Sequence, residues 1–190
     1  MESPLKNYEQ IAHLVTRSRN GDANAFETLV RTHIRTAVAV ALAVTGRTED
    51  AEDVAQDAFV LAYNKLDSCS DPSRFSGWLL QIVRNQAINW LHRRRRHERQ
   101  HKVDTTDTYT ESGEQDSANR QLLLFALNDL DQTQREIVVL HALEGWTHEE
   151  IAEHLDINPQ TSRWHLFQAR HAMKQFMTNT SVPRKKVIHE

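Results

Sequence analysis

An all-α fold is predicted, and three observations predict it. The 190 residues include only five glycines and four prolines, and runs of β-branched residues are few. Apolar residues recur at helical spacing along most of the chain. The stretch from Trp146 to Leu166 contains two helix starts separated by a short turn.

The elements follow in order. Tyr8 to Asn20 forms a first helix with Ile11, Leu14 and Val15 as its apolar side, and Gly21 ends it. Asp22 caps a longer second helix, carrying Phe26, Leu29, Val30, Ile34 and Ala37 to Val44, with Gly46 as its C-cap. Thr48 caps a third helix, whose early Glu49 and Asp50 suit the helix dipole. Asp50, Asp53 and Asp57 make an acidic stripe along it. Asp67 to Ser73 is a loop by composition. A fourth helix, Ser76 to Arg96, buries Trp78, Leu79, Ile82, Val83, Ile88 and Leu91 and runs into four arginines. Gln100 to Ser117 is polar and acidic, too poor in apolar residues to offset the entropy of ordering. Leu122 to Leu130 is helical. Asp131 with Gln134 reads as a capping box opening the next helix, which Gly145 stops.

Thr147 with Glu150 is another capping box, and Ile151, Ala152 and Leu155 give that short helix one apolar face. Asp156-Ile157-Asn158 breaks it. Asn158 caps the last helix, with Pro159 at its first position. Ser162, Leu166, Ala169 and Met173 share the inner face of that helix. Gln160, Arg163, Trp164, Phe167, Gln168 and His171 share the outer one. This arrangement reads as a helix-turn-helix rather than an ordinary helical hairpin.

Two small helical domains are therefore expected. Residues 1–99 form a bundle, 100–118 a flexible linker, 119–178 the helix-turn-helix domain, and 179–190 a disordered basic tail. Cys69 is the single cysteine, so no internal disulfide forms, and a reducing cytoplasm suits the chain. The N-terminus lacks the apolar core of a signal peptide, and no apolar run reaches membrane-spanning length, so no membrane insertion is expected.

The net charge of −3 conceals a sharp distribution. Arg84, Arg93, Arg94, Arg95, Arg96, Arg99 and Lys102 are opposed only by Glu98, whereas Val103 to Ala118 carries acids alone. The first strip is a candidate nucleic-acid footprint. Arginine suits phosphate, asparagine can reach base edges, and an aromatic can stack on an unstacked base. Asn85, Asn89 and Trp90 precede the arginines. A solvated helix end is the rival explanation, and the helix-turn-helix downstream favours DNA. The acidic stripe could hold Mg²⁺, face solvent or dock a protein. His148-Glu149 lacks the second histidine of a zincin motif, and His97 with His101 has no thiol nearby. No catalytic motif is visible, so no enzyme activity, metal or cofactor is expected.

Asp50-Ala51-Glu52-Asp53-Val54-Ala55-Gln56-Asp57-Ala58-Phe59, followed by Phe75 to Asn85, resembles region 2 of a bacterial sigma factor of the extracytoplasmic-function group. Asp131 to Arg170 resembles region 4. The resemblance implies an alternative sigma factor, whose partners are core RNA polymerase (β′ clamp and β flap), promoter DNA and an anti-sigma factor. It implies that Asp50, Asp53, Gln56 and Asp57 dock on the β′ clamp. It puts Cys69, Arg74, Arg84, Asn85, Asn89, Trp90, Arg93 and Arg94 at the minus-ten element. It puts Gln160, Arg163, Trp164, Phe167, Gln168 and His171 at the minus-thirty-five element, and threads the acidic linker through the RNA exit path. Cys69 stands where an aromatic is frequent. Asp156 replaces a turn glycine, and Ser162 replaces an apolar residue, which should weaken packing. Trp164, His165 and Gln168 replace smaller or more basic residues, favouring thymine methyls.

The rivals are a stand-alone helix-turn-helix regulator binding palindromic DNA as a dimer, and an adaptor mimicking sigma surfaces. The second domain has five basic residues against eight acids from Asp129 to Asp156, so weak DNA binding by the free protein is expected.

Overall fold

The computed structural model describes residues 4–100, 126–127 and 129–180, and all regular structure among them is helical. The N-terminal bundle comprises α1 (Pro4–Arg19), α2 (Ala23–Thr45), α3 (Thr48–Asn64) and α4 (Phe75–Gln100). Asp22 joins the first two helices. Its side chain caps α2 at Ala25 N and takes Arg17 at 2.6 Å. Gly46 ends α2 with φ 75°, and its N–H donates to Leu42 O.

Small residues set how closely these helices approach. Ala37, Ala41, Ala51, Ala55, Ala58 and Ala62 are all fully buried, and their small side chains leave room for neighbouring helices to approach α2 and α3 closely. Leu29, Val40, Phe75, Leu79, Leu80 and Val83 fill the remaining space. His33 ties α2 to the start of α4. Its Nδ1–H donates to Leu29 O at 2.8 Å, leaving Nε2 to accept from the Ser76 hydroxyl at 2.8 Å.

Three further helices follow: α5 (Gln132–Leu143), α6 (His148–Leu155) and α7 (Pro159–Thr180). Both expected capping boxes form, at Asp131/Gln134 and at Thr147/Glu150. Asn158 Oδ1 accepts from Gln160 N at 2.8 Å at the start of α7. Asp156 adopts φ 56°, the left-handed turn conformation that a short polar side chain tolerates.

These helices do not stand apart from the bundle. α5 lies along α2, and Ile137, Leu140, Ile151 and Leu166 join the same apolar cluster as Leu29 and Leu79. The contact is also polar. Thr36 donates to Glu144 at 2.6 Å, Arg135 Nε donates to Ala43 O at 3.0 Å, and Arg84 meets Glu136 at 2.6 Å.

Several expected boundaries shift. The N-cap of α3 is Arg47, with no side-chain cap bond, and Thr48 is already helical. α1 begins at Pro4, ahead of Tyr8, because proline is suited to a first helical turn. α4 runs four residues past Arg96, so Gln100, expected to open the linker, is helical. Two 3₁₀ turns, Leu66–Ser68 and Pro72–Arg74, lie in the loop before α4. α7 runs to Thr180, two residues into the expected tail; the rest of the expected linker, most of the Leu122 to Leu130 helix and residues 181–190 lie outside the described residues. No described helix is long and apolar enough to cross a membrane.

Gly46 isolates a single physical cost. An added Cβ would meet nothing within 4 Å, so only the backbone conformation resists a side chain. Gly46→Ala should destabilise the fold by about 1–2 kcal/mol in urea unfolding, with an unchanged slope.

Candidate nucleic-acid interface

The expected outer-face residues separate into three surfaces. On α3, Asp53, Gln56 and Asp57 are exposed and lie within about one helical turn of one another. Asp50 is held differently, facing Arg47 at 3.4 Å and Arg94 at 3.2 Å. The solvent-facing part of the stripe is therefore Asp53, Gln56 and Asp57.

On α4, Asn85, Asn89 and Arg93 are exposed at four-residue spacing and form one continuous polar row, which Arg96 extends. Arg94 does not share this row. It turns inward, its guanidinium 5.4 Å from the Trp90 ring centroid, and reaches Asp50. Trp90 is half-buried against the core, so one ring face is already occupied.

The loop before α4 is anchored from a distance. The Arg19 guanidinium donates to Leu66 O and Cys69 O, fixing the chain on both sides of the first 3₁₀ turn. Asp71 caps the second turn, accepting from Ser73 N at 2.9 Å and Ser73 Oγ at 2.6 Å; the hydroxyl bond above all holds its carboxyl below the usual range. Cys69 is the clear correction. Only 1% of it is exposed, its thiol donates to Asp71 O, and burial pushes the thiol pKa up. A side chain turned into the core neither touches DNA nor offers a reactive thiolate.

On α7, Gln160, Arg163, Trp164, Phe167 and His171 are exposed, and Gln168 is half-buried beside them. Trp164 and Phe167 are 55% and 67% exposed, large apolar area for an otherwise polar face. Ser162 is fully buried yet satisfied, since its hydroxyl meets His148 Nδ1 at 3.0 Å. The expected packing defect is thus filled by a hydrogen bond. His148 in turn stacks on His141 at 5.3 Å, and burial, then the neighbouring His141, lowers its pKa.

Three arginines of these surfaces have carboxylate partners. Arg74 meets Glu153 at 2.9 Å, Arg84 meets Glu136 at 2.6 Å, and Arg163 meets Glu149 at 2.6 Å. The first two pairs cross between the bundle and the C-terminal helices. The Arg74–Glu153 pair borders a cleft of about 780 Å³ between the Cys69–Arg74 loop and α6, where the Trp146 indole lies over Gly77. His154 lines this cleft, edge-on to Trp146 at 5.1 Å. Sequence reasoning missed Glu136, Trp146, His154 and Arg19. Glu136 alone carried a signal, an acid directly before the apolar run Ile137 to Leu140 and on the buried side of its helix.

The chain matches the family model for Sigma-70 region 2 over residues 29–97 and that for Sigma-70 region 4 over residues 120–173. It is 33% identical over 174 residues to the ECF RNA polymerase sigma-E factor of Escherichia coli K12, covering 84% of this chain and 90% of that one. Its fold is similar to that of CnrH in complex with the cytosolic domain of CnrY (TM-score 0.65, 27% identity, 90% of this chain and 99% of that one). It is also similar to the fold of the sigma factor RpoE from Bartonella quintana, solved with the anti-sigma factor NepR (TM-score 0.71, 24% identity, 84% and 98%).

His154 gives the cleft a pH dependence with a definite sign. Burial first, and the Arg84 charge second, lower its pKa from 6.5 to about 4. A folded pKa below the unfolded one means the unfolded chain binds more protons, so stability falls as pH drops from 6.5 towards 4. Between about pH 6.5 and 5 the wild type should lose roughly 2 kcal/mol relative to His154→Gln, measured by urea unfolding across that range.

Proposed function

The chain belongs to the extracytoplasmic-function group of sigma-70 family sigma factors, and from that premise we propose how its surfaces divide the work. It acts as an alternative sigma factor, binding core RNA polymerase and directing it to promoter DNA for transcription initiation. Sigma factors are initiation factors rather than enzymes, and this chain supplies recognition while the polymerase supplies catalysis. It works where core polymerase is, in the cytoplasm.

Residues 1–99 serve as region 2 and residues 119–178 as region 4, with 100–118 as linker and 179–190 as tail. The exposed residues Asp53, Gln56 and Asp57, with Asp50 behind them, dock on the β′ clamp. Arg74, Arg84, Asn85, Asn89 and Arg93 meet the minus-ten element. Trp90 and Arg94 support that surface from beneath. Gln160, Arg163, Trp164, Phe167, Gln168 and His171 meet the minus-thirty-five element, and region 4 rests on the β flap. The exposed Trp164 and Phe167 favour thymine methyls there. An anti-sigma factor is a further partner; the Bartonella sigma factor was solved with the anti-sigma factor NepR.

One observation carries this reading: both regions match, in order, within one chain whose acidic α3 face points to solvent. A stand-alone regulator would have no use for that face. The paired arginines also bear on DNA binding. Glu153 and Glu136 offset the charges of Arg74 and Arg84, so the free protein binds promoter DNA weakly. Once polymerase holds both regions on one promoter, the second contact becomes effectively intramolecular.

The test is a pull-down of core polymerase with wild type and Asp53→Arg, followed by run-off transcription from a library of upstream sequences. Charge reversal should weaken core binding by about thirtyfold or more and abolish initiation at the sequence the wild type selects. Tight binding of a DNA probe by the free protein, with no core association, would replace this reading with that of a stand-alone regulator.

A further inference from the structure

We propose that Glu149, outside the recognition helix, is a positioning residue that sets the base preference of Arg163. The proposal rests on the reading of α7 as the minus-thirty-five helix. Its observation is a pair of parallel ties between α6 and α7. His148 meets Ser162 at 3.0 Å, and the next residue on each helix, Glu149, meets Arg163 at 2.6 Å. The first tie is partly buried, through Ser162, and fixes the register of the two helices. The second lies at the surface and fixes a side chain.

Glu149 is well placed to do this. It is the second residue of α6, just after the Thr147 cap, where the helix N-terminus favours a carboxylate. A bond to its own backbone N–H, and after it Arg163, hold its carboxyl below the usual range. The turn joining the helices is itself fixed. Asp156 and Ile157 both donate through N–H to Ala152 O, and Ile151 and Leu166 are buried beneath.

The consequence lies in guanidinium geometry. Arg163 sits in the N-terminal part of α7, the part that a recognition helix brings to base edges. Glu149 takes Nη2 on one side, and half of the Arg163 side chain stays open on the other. An arginine reads guanine through two parallel N–H donors in one plane, so the orientation of that plane decides which base fits. An exposed ion pair contributes little to stability, so an acid kept beside DNA phosphates must serve orientation. Glu149 acts on the base through Arg163 and does not touch DNA itself.

The experiment compares wild type with Glu149→Gln, Glu149→Ala, Arg163→Ala and the double variant Glu149→Ala/Arg163→Ala. Each is assembled with core polymerase and transcribes a library randomised across the upstream element. Glu149 is exposed, so its variants should melt with the wild type. Arg163→Ala should flatten preference at one base position by about tenfold. Glu149→Ala should flatten the same position, Glu149→Gln less so because it still accepts a bond, and the double variant should be no worse than Arg163→Ala. If Glu149→Ala and Glu149→Gln instead raise transcription uniformly and equally, Glu149 only repels phosphate and the proposal fails. If Arg163→Ala flattens a position that Glu149→Ala leaves intact, the proposal fails while the reading of α7 stands. If Arg163→Ala alters no position, both fail.

Discussion

The ion pair between Arg84 and Glu136 is the contact on which the whole arrangement turns. Glu136 is 2% exposed, so its charge is tolerable only with partners. Arg84 supplies one at 2.6 Å, and Gln132 of its own helix supplies another at 2.8 Å. Removing a buried charge from water costs nearly what its partner returns, so such a pair fixes geometry more than it adds stability. That balance suits a contact that must open. The polar bonds around it, from Thr36 to Glu144 and from Arg135 to Ala43 O, fix one register over the shared apolar cluster.

The same pair sets closure in competition with the proposed reading of DNA. Arg84 and Arg74 belong to the surface proposed for the minus-ten element, and each spends its charge on a carboxylate of the C-terminal helices. A guanidinium already bonded to a carboxylate has fewer free donors and less net charge to offer a phosphate. His154, kept neutral by burial, allows Arg84 to lie nearby without a second positive charge beside it. The cleft is therefore held by charges that depend on one another.

What was legible in the sequence was what is local. The capping boxes at Asp131 and Thr147, the Asn158–Pro159 start and the Gly46 stop were all readable, because each is decided within four residues. The inner and outer faces of α7 followed from helical periodicity. The end of α4 was not readable, because the pattern turns polar at the arginines and apolar spacing no longer marks the helix. Long-range partners were harder still. Arg19 anchors a loop some fifty residues away, and nothing near it announces this. Cys69 was assigned to DNA by family position, but its small apolar side chain turned inward once Arg19 and Asp71 had fixed the loop. Within the arginine run, periodicity required that one member point inward, and only tertiary packing could select Arg94. Ser162 looked like a flaw because its partner, His148, lies on another helix.

The acidic balance of the C-terminal half then follows from physical causes. Its carboxylates have structural work: Glu136 and Glu153 meet arginines of the bundle, Glu144 receives Thr36, and Glu150 closes a capping box. A domain whose acids are engaged in this way cannot also rely on a strong positive field to hold DNA. Affinity must come from tethering two weak contacts to one polymerase, where the effective concentration of the second multiplies the first. Discrimination is then left to a few well-held side chains rather than to net charge. Under the proposed division, recognition on α7 falls to Arg163 and two exposed aromatic rings, and additional lysines would raise non-specific binding faster than they raised selectivity.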